Sequence, residues 1–355
     1  MSDLPSGTRA PTKHRISMHL TGLDARELVE SAREAEAAGV ESLWASELYT
    51  NPWVQLAAVA PATENITLGT GVVLGFVRSP MALGVAALDL DQLTRRADGS
   101  GRFVLGLGTG VKQLNQRWHG VTNFGGPVRH MRELIEFLRL FFAKAHTAEP
   151  VSYHGEFIHA DIDSYRRPGK GPATPIPIYL GANQPRMLEL AGEVADGVLG
   201  HVFISPRALK EFTLPHIETG LKKAGRSRSE FTLGAGITTA IANDRATARR
   251  HARGPLAFYA TVRTYSAAFE ADGFGAEVAA IRKAFQAGER DTLLDLVSDA
   301  MVDTYCAAGT LDDVMQRLRE YDGLLDVKGV SPPRHFCPTD AHREYRRAIL
   351  EAFGD

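Results

Sequence analysis

Three stretches of this chain end an apolar run in glycines: "ITLGTGVVLGFVRSP" (66–80), "LGLGTGVKQLN" (105–115) and "PIYLGANQPRMLELAGEVADGVL" (177–199). Glycine has no β-carbon, so such an end lets a flat ligand lie against the backbone, and it equally suits a bulge or a tight turn. In the third stretch Pro185 stands at the first turn of a helix. The backbone amides of Gly181, Ala182, Asn183 and Gln184 then face outward at a helix N-terminus, a ready anion site. Together the stretches suggest a large phosphorylated cofactor, although none is a six-residue dinucleotide fingerprint or a phosphate loop with its lysine.

Groups able to move protons stand close by. Glu47, in "ESLWASE", is the candidate acid or base, since a sheltered strand end raises a carboxyl pKa; the alternative is a carboxylate paired with an arginine or capping a loop. His201 in "GVLGHVFIS" and His19 in "ISMHLTG" also sit at strand ends, where a histidine carries protons or is a satisfied structural residue. His154 and His159 are five apart, a spacing that puts them on opposite faces of an extended strand, and read as surface residues. Arg78 suits an acidic cofactor group or a loop cap. Trp44 and Trp53 flank one strand end, where aromatic walls can stand beside a flat ring, with core packing the other role open to Trp44. No His, Asp and Glu cluster has metal-ligand spacing, and no serine lies in a nucleophile-elbow pattern.

Positioning these residues is the work of a repeated strand and helix pattern. Candidate strands are "RISMHL" (15–20), "ESLWA" (41–45), "ITLGTGV" (66–72), "RFVLGLG" (102–108), "IPIYL" (176–180), "GVLGHVFI" (197–204), "FTLGAGITTAI" (231–241) and "LLDVKGV" (324–330). Asp24 can cap the first helix and Gly39 close it, with Leu28, Ala32, Ala35 and Ala38 on one stripe. Eight strands, each followed by a helical pattern, predict a (β/α)₈ TIM barrel, with its active site at the carboxyl ends of the strands. Two irregular segments predict insertions: a surface hairpin at about 148–172 and a helical insertion at about 245–309, before the last strand. Residues 14–355 then form a single barrel domain behind a loose tail, residues 1–13.

Composition narrows the function. Across 355 residues, 40 basic groups nearly cancel 42 acidic ones and lie scattered, which argues against a nucleic-acid or membrane partner and for a small molecule. Two cysteines, Cys306 and Cys337, are too few for a disulfide framework and fit a reducing compartment, and with no signal-like or membrane-spanning run the expected location is the cytoplasm.

In this order, "ESLWASE", "ITLGTGVVLGFVRSP", "GRFVLGLGTG" and "PIPIYLGANQPRMLELAGEVADGVL" resemble the bacterial luciferase-like monooxygenase superfamily, over roughly residues 15–240, with a weaker echo in "GLLDVKGVSPPR". "LGTGV", "VRSP" and "IPIYLGA" look most like its branch that uses the deazaflavin coenzyme F420, the branch of methylenetetrahydromethanopterin reductase; FMN-dependent members share the barrel. The resemblance implies a non-prolyl cis peptide at Gly71–Val72, bulged against the deazaflavin ring. It also implies that Gly181, Ala182, Asn183 and Gln184 bind the cofactor phosphate, while Thr70, Gly108, Thr109 and Gly110 line the ring and ribityl region. Two departures bear on chemistry. Leu48 follows Glu47 where many relatives carry a histidine, and Val111 follows "GTG" where the F420-dependent glucose-6-phosphate dehydrogenases carry an acidic proton donor.

The expected activity is hydride transfer between F420 and a small organic substrate. Its alternatives are an FMN-dependent monooxygenase and a non-catalytic ligand-binding or partner subunit of the same fold. No metal is expected. Relatives often dimerise through barrel helices, and the apolar segments "PWVQLAAVAPATE" and "PMALGVAALDLDQL" make a homodimer the expected assembly.

Overall fold

The structure, a computed structural model, describes residues 15–354, so the tail expected at residues 1–13 lies outside the described residues. Eight parallel strands follow one another round a closed barrel. They are β1 (Ile16–His19), β2 (Ser42–Ala45), β3 (Thr67–Thr70), β4 (Phe103–Gly108), β5 (Ile178–Gly181), β6 (Gly197–Gly200), β7 (Thr232–Ile241) and β8 (Val327–Ser331). Each pairs with the next, and β8 closes the ring on β1 through Ile16 opposite Lys328.

The outer helices are α1 (Ala25–Ala37), α2 (Pro52–Val59), α3 (Pro80–Leu93), α4 (Pro127–Lys144), α5 (Pro185–Val194), α6 (Leu214–Lys223), α7 (Leu311–Arg319) and α8 (Thr339–Phe353). Their starts follow local chemistry. Asp24 accepts the amides of Arg26 and Glu27 at the head of α1, Asn51 those of Trp53 and Val54 before α2, and Ser79 that of Ala82 before α3, with Pro52 and Pro80 opening their helices. Gly39 closes α1 with a φ of 69°, a left-handed conformation that favours glycine. Leucine, valine and isoleucine from both layers, among them Leu43, Leu68, Leu105, Ile178, Val198 and Leu233, fill the space between sheet and helices.

Both insertions are present. A two-stranded antiparallel hairpin joins Val151–His154 to His159–Ile162. His154 and His159 face each other directly across it, because the hairpin turn restores to one face the two side chains that strand alternation alone would separate. Between β7 and α7, the helices Arg245–Thr261, Ser266–Ala271, Gly275–Gln286 and Asp299–Tyr305 build a second apolar core round Phe269, Ile281, Leu293, Met301 and Tyr305. A short strand, Cys306–Gly309, then runs beside the end of β7. Among the described residues no helix is long and apolar enough to cross a membrane.

Two strand limits differ from the sequence reading by more than two residues. Strand β6 stops at Gly200 rather than 204, because the chain there folds over β7: Val202 packs on Gly236, where a β-carbon would meet it at 2.5 Å, and Phe203 bridges Ile237. Strand β8 begins at Val327 rather than 324, because the amides of Leu324 and Leu325 turn back onto the carbonyl of Tyr321 after α7.

Candidate active site

Strand β3 ends in a bulge. The Gly71–Val72 peptide bond is cis, at the position the resemblance implies, and Val73–Leu74 then runs beside the end of β4. Backbone and side chains of the β2 end hold it from one side. Gly71 N donates to the Ala45 carbonyl at 2.8 Å, Ser46 Oγ donates to the Gly71 carbonyl at 2.8 Å, and Glu47 N donates to the Val72 carbonyl at 3.2 Å. From the other side, Gly75 N donates to the Gly108 carbonyl at 2.9 Å.

The glycines of this rim make room for the protein's own side chains. A β-carbon on Gly69 would stand 2.3 Å from the Trp44 ring, and one on Gly71 would stand 2.8 Å from Trp44 Cβ. Gly75 faces Leu134 and Met131 of α4. Val72 in turn sits between two other strand ends, since a β-carbon on Gly108 would meet its Cγ2 at 2.5 Å and one on Gly181 its Cγ1 at 3.2 Å. The three glycine-rich stretches therefore do converge, on the Val72 side chain.

Several expected site residues have other occupations. Thr70 is fully buried, and its hydroxyl donates to the Gly106 carbonyl and accepts from the Gly106 amide, both at 2.8 Å, so it straps β3 to β4 rather than lining a ring. Glu47 takes the second role that the sequence left open. Its side chain is 8% exposed, and its carboxylate accepts from both terminal nitrogens of Arg78 and from the Leu74 amide at 2.7 Å. A carboxylate so engaged braces the bulge, and Arg78 is equally committed. Trp44 is buried against Gly69 and Gly71, while Trp53 lies near Phe103, the first residue of β4, and not beside the glycine rim.

Two helix starts open beside the bulge. Helix α5 begins without a side-chain cap at Gln184, with Asn183, Gln184 and Arg186 exposed, while Ala182 is buried and Gly181 half-buried. The short helix Lys112–His119 after β4 also begins without a side-chain cap. Before it lie Thr109, half-buried, and Gly110, exposed with a φ of 64°. Asn115, fully buried, ties that turn by donating to the carbonyls of Thr109 and Val111 at 2.9 and 3.1 Å, and its Oδ1 has no partner. Uncapped amides and aligned helix dipoles at neighbouring strand ends favour an anion such as a phosphate.

Across the rim stand the histidines. His19 closes β1, with Nδ1 3.3 Å from Ser46 Oγ, the same hydroxyl that reaches the Gly71 carbonyl. The residue is solvent-accessible, but the surrounding protein, with the charge of Arg334, holds its pKa below 6.5 against the opposing pull of the Trp44 carbonyl. His201, just past β6, stands against Phe203, Tyr259 and Tyr265 with ring centroids 4.1, 4.7 and 4.7 Å away. Burial, with a smaller push from His19, drives its pKa down to about 3. Its Nδ1 is buried without a partner. Both imidazoles are thus neutral near pH 7.

Ser46, Asn115, Tyr259, Tyr265 and Arg334 escaped the sequence reading. Which residues of the insertion and of the segment after β8 turn inward carries no local signal in the sequence. Elsewhere, a cleft of about 250 Å³ between Arg245, Arg249, Asp303, Asp313, Arg317 and Glu320 is lined by side chains already paired with one another. Among the described residues no three His, Cys, Asp or Glu side chains are grouped to hold a metal ion.

Comparison with known proteins gives a consistent result. A family model described as luciferase-like monooxygenase matches residues 4–326. The chain is 33% identical over 318 residues to the 5,10-methylenetetrahydromethanopterin reductase of Archaeoglobus fulgidus, covering 86% of this chain and 90% of that one. It is 30% identical over 311 residues to a putative coenzyme F420-dependent oxidoreductase of Mycobacterium tuberculosis, covering 82% and 86%. Among solved structures, the coenzyme F420-dependent tetrahydromethanopterin reductase of Methanopyrus kandleri shares the fold, with a TM-score of 0.78 over 97% of this chain and 98% of that one at 24% identity.

Proposed function

This chain belongs to the luciferase-like monooxygenase family, and on that premise we propose that it is an oxidoreductase that holds coenzyme F420 at the barrel mouth and exchanges a hydride between it and a small organic substrate. The observation that carries the reading is the meeting of three strand ends round Val72, beside two helix N-termini whose amides lack side-chain caps. The relatives named methylenetetrahydromethanopterin reductase and putative coenzyme F420-dependent oxidoreductase support the choice of cofactor.

The donor set fits such a group. Amides at the start of α5, with Asn183 and Gln184, would take its phosphate, and the turn at Gly108, Thr109 and Gly110 with the Gly71–Val72 bulge would border its ring. When bound, a deazaflavin supplies a carbon that accepts or gives up a hydride, so the protein's task is to place and shield it. Glu47, paired with Arg78, holds the bulge through the Leu74 amide, and Ser46 ties it to His19. With its pKa held below 6.5, His19 is free to accept a proton at neutral pH, as oxidation of a hydroxyl group requires. His201, neutral down to about pH 3, shapes the mouth rather than carrying charge.

Equilibrium titration of the purified protein with F420 and with FMN, each to tens of micromolar, tests the cofactor. Binding of F420 without FMN is expected. Binding of FMN alone would replace this reading by a flavin monooxygenase, and binding of neither by a non-catalytic relative.

A further inference from the structure

The segment after β8 places one cation where no described residue answers it. Arg334 is exposed and makes no hydrogen bond or ion pair with any described residue, whereas Arg78, Arg249, Arg317 and Arg346 are all paired. Its chain neighbours place it at this side of the mouth, since the His335 ring lies 5.7 Å from that of Tyr259 and the Pro333 carbonyl accepts from Nδ1 of His342 at 2.8 Å. Its charge acts on His19, Tyr259, His335 and His342. No described carboxylate hydrogen-bonds or ion-pairs with Arg334, His19, His201, Tyr259, Tyr265 or His335. Among the described residues this cation is without a counter-charge.

Its walls are aromatic. Tyr259 lies 4.7 Å from His201, 5.0 Å from Phe203, 5.3 Å from Tyr265 and 5.7 Å from His335, ring centre to ring centre. The hydroxyls of Tyr259 and Tyr265 have no hydrogen-bond partner among the described residues and are not buried, and Nδ1 of His201 is buried without one. Packed rings offer faces and edges to a flat apolar body, while the free hydroxyls and the guanidinium remain for polar groups at its end.

The cofactor's phosphate does not account for this cation. Strands β8 and β1 lie half-way round the ring of eight from β4 and β5, whose ends carry the uncapped helix starts. A group spanning the mouth from the α5 side would present its ring, not its phosphate, to Arg334.

We propose that the substrate is an organic carboxylate with a planar unsaturated body, its carboxylate paired to Arg334 and its body standing against the half-buried rings of Tyr259, Tyr265 and His335. This rests on the reading of the mouth as the substrate side of an F420 oxidoreductase. A carboxylate would take the guanidinium in a two-point pair and supply the missing negative charge, which a neutral amide of the same shape does not.

The test is calorimetric titration of the F420-loaded protein with three probes: trans-cinnamate, its neutral amide cinnamamide, and acetate. Cinnamate is expected to bind at least tenfold more tightly than either of the others. Arg334→Gln should bring cinnamate down to the level of cinnamamide, Arg334→Lys should recover part of the loss, and F420 affinity should stay within twofold in both. Equal binding of cinnamate and cinnamamide, no binding of either, or an Arg334→Gln protein that keeps the preference overturns the proposal. Absence of F420 binding to the wild-type protein overturns the cofactor reading instead, and the same titrations on the protein alone then still decide whether Arg334 selects carboxylates.

Discussion

A β-carbon added to Gly108 would stand 2.5 Å from Cγ2 of Val72, a branched side chain with no flexible end to swing away. The glycine is therefore required by a neighbour 36 residues earlier in the chain, whether or not a ligand is bound. Gly108→Ala should cost about 1–3 kcal/mol of stability, as overpacking in a well-filled interior does. Trimming the neighbour relieves the overlap, so Gly108→Ala with Val72→Ala should be more stable than the two single losses predict, by about 1 kcal/mol or more in a double-mutant cycle measured by urea unfolding. If the glycine is instead kept open for a ring, Gly108→Ala should leave stability near wild type and lower only cofactor affinity, and the cycle should show no coupling. His19 illustrates the same dependence on distant partners, since its low pKa comes from surrounding protein and from Arg334 at the far end of the sequence.

At the scale of elements, the helical insertion and the segment after β8 form one wall. The helix Arg245–Thr261 crosses that segment at Gly254, where an added β-carbon would lie 1.9 Å from the His335 carbonyl oxygen. Two effects compete in Gly254→Ala. Alanine favours a helix by about 1 kcal/mol over glycine, but the overlap is with backbone, which no rotamer change relieves, and overpacking costs about 1–3 kcal/mol. The overlap should win. Thermal unfolding should move to lower temperature, cinnamate binding should weaken as Arg334 and His335 are displaced, and F420 affinity should hold. A higher melting temperature would show that helix and segment are not locked together at this point. The stacking of Phe269 in the insertion against Phe203 beyond β6, centroids 5.1 Å apart, ties the same wall to the barrel.

For the whole molecule, the buried histidine sets an acid limit. In the unfolded chain a histidine binds its proton near pH 6.5, whereas His201 in the folded protein stays neutral down to about pH 3. Between those values the unfolded state holds more protons than the folded one, so stability rises with pH through the window and is lost as pH falls below 6.5. The loss is at most about 1.4 kcal/mol per pH unit. His201→Phe keeps a ring beside Phe203, Tyr259 and Tyr265 and cannot titrate, so its stability relative to wild type should improve steadily between pH 7 and pH 4. Urea unfolding at several pH values measures this, and parallel curves for the two proteins would remove His201 as the source.

The sequence alone determined the barrel, its order of strands and helices, its two insertions and the rim on which the glycines gather. Those features are written in local signals: hydrophobic period, the caps Asp24, Asn51 and Ser79, and proline at helix starts. Even the cis bond at Gly71–Val72 was legible, through the resemblance of a short continuous stretch. What each residue faces was decided by closure of the ring. Glu47 meets Arg78 across 31 residues, Gly181 meets Val72 from another strand, and Tyr259 meets both His201 and His335 at one side of the mouth. No spacing in the sequence encodes those meetings, because packing between elements far apart in the chain fixes them. The functional assignments moved with them: of the two roles open to Glu47 the structure shows the carboxylate paired with an arginine, and Arg334, at the end of a stretch read only as a weak echo, became an exposed cation without a partner among the described residues.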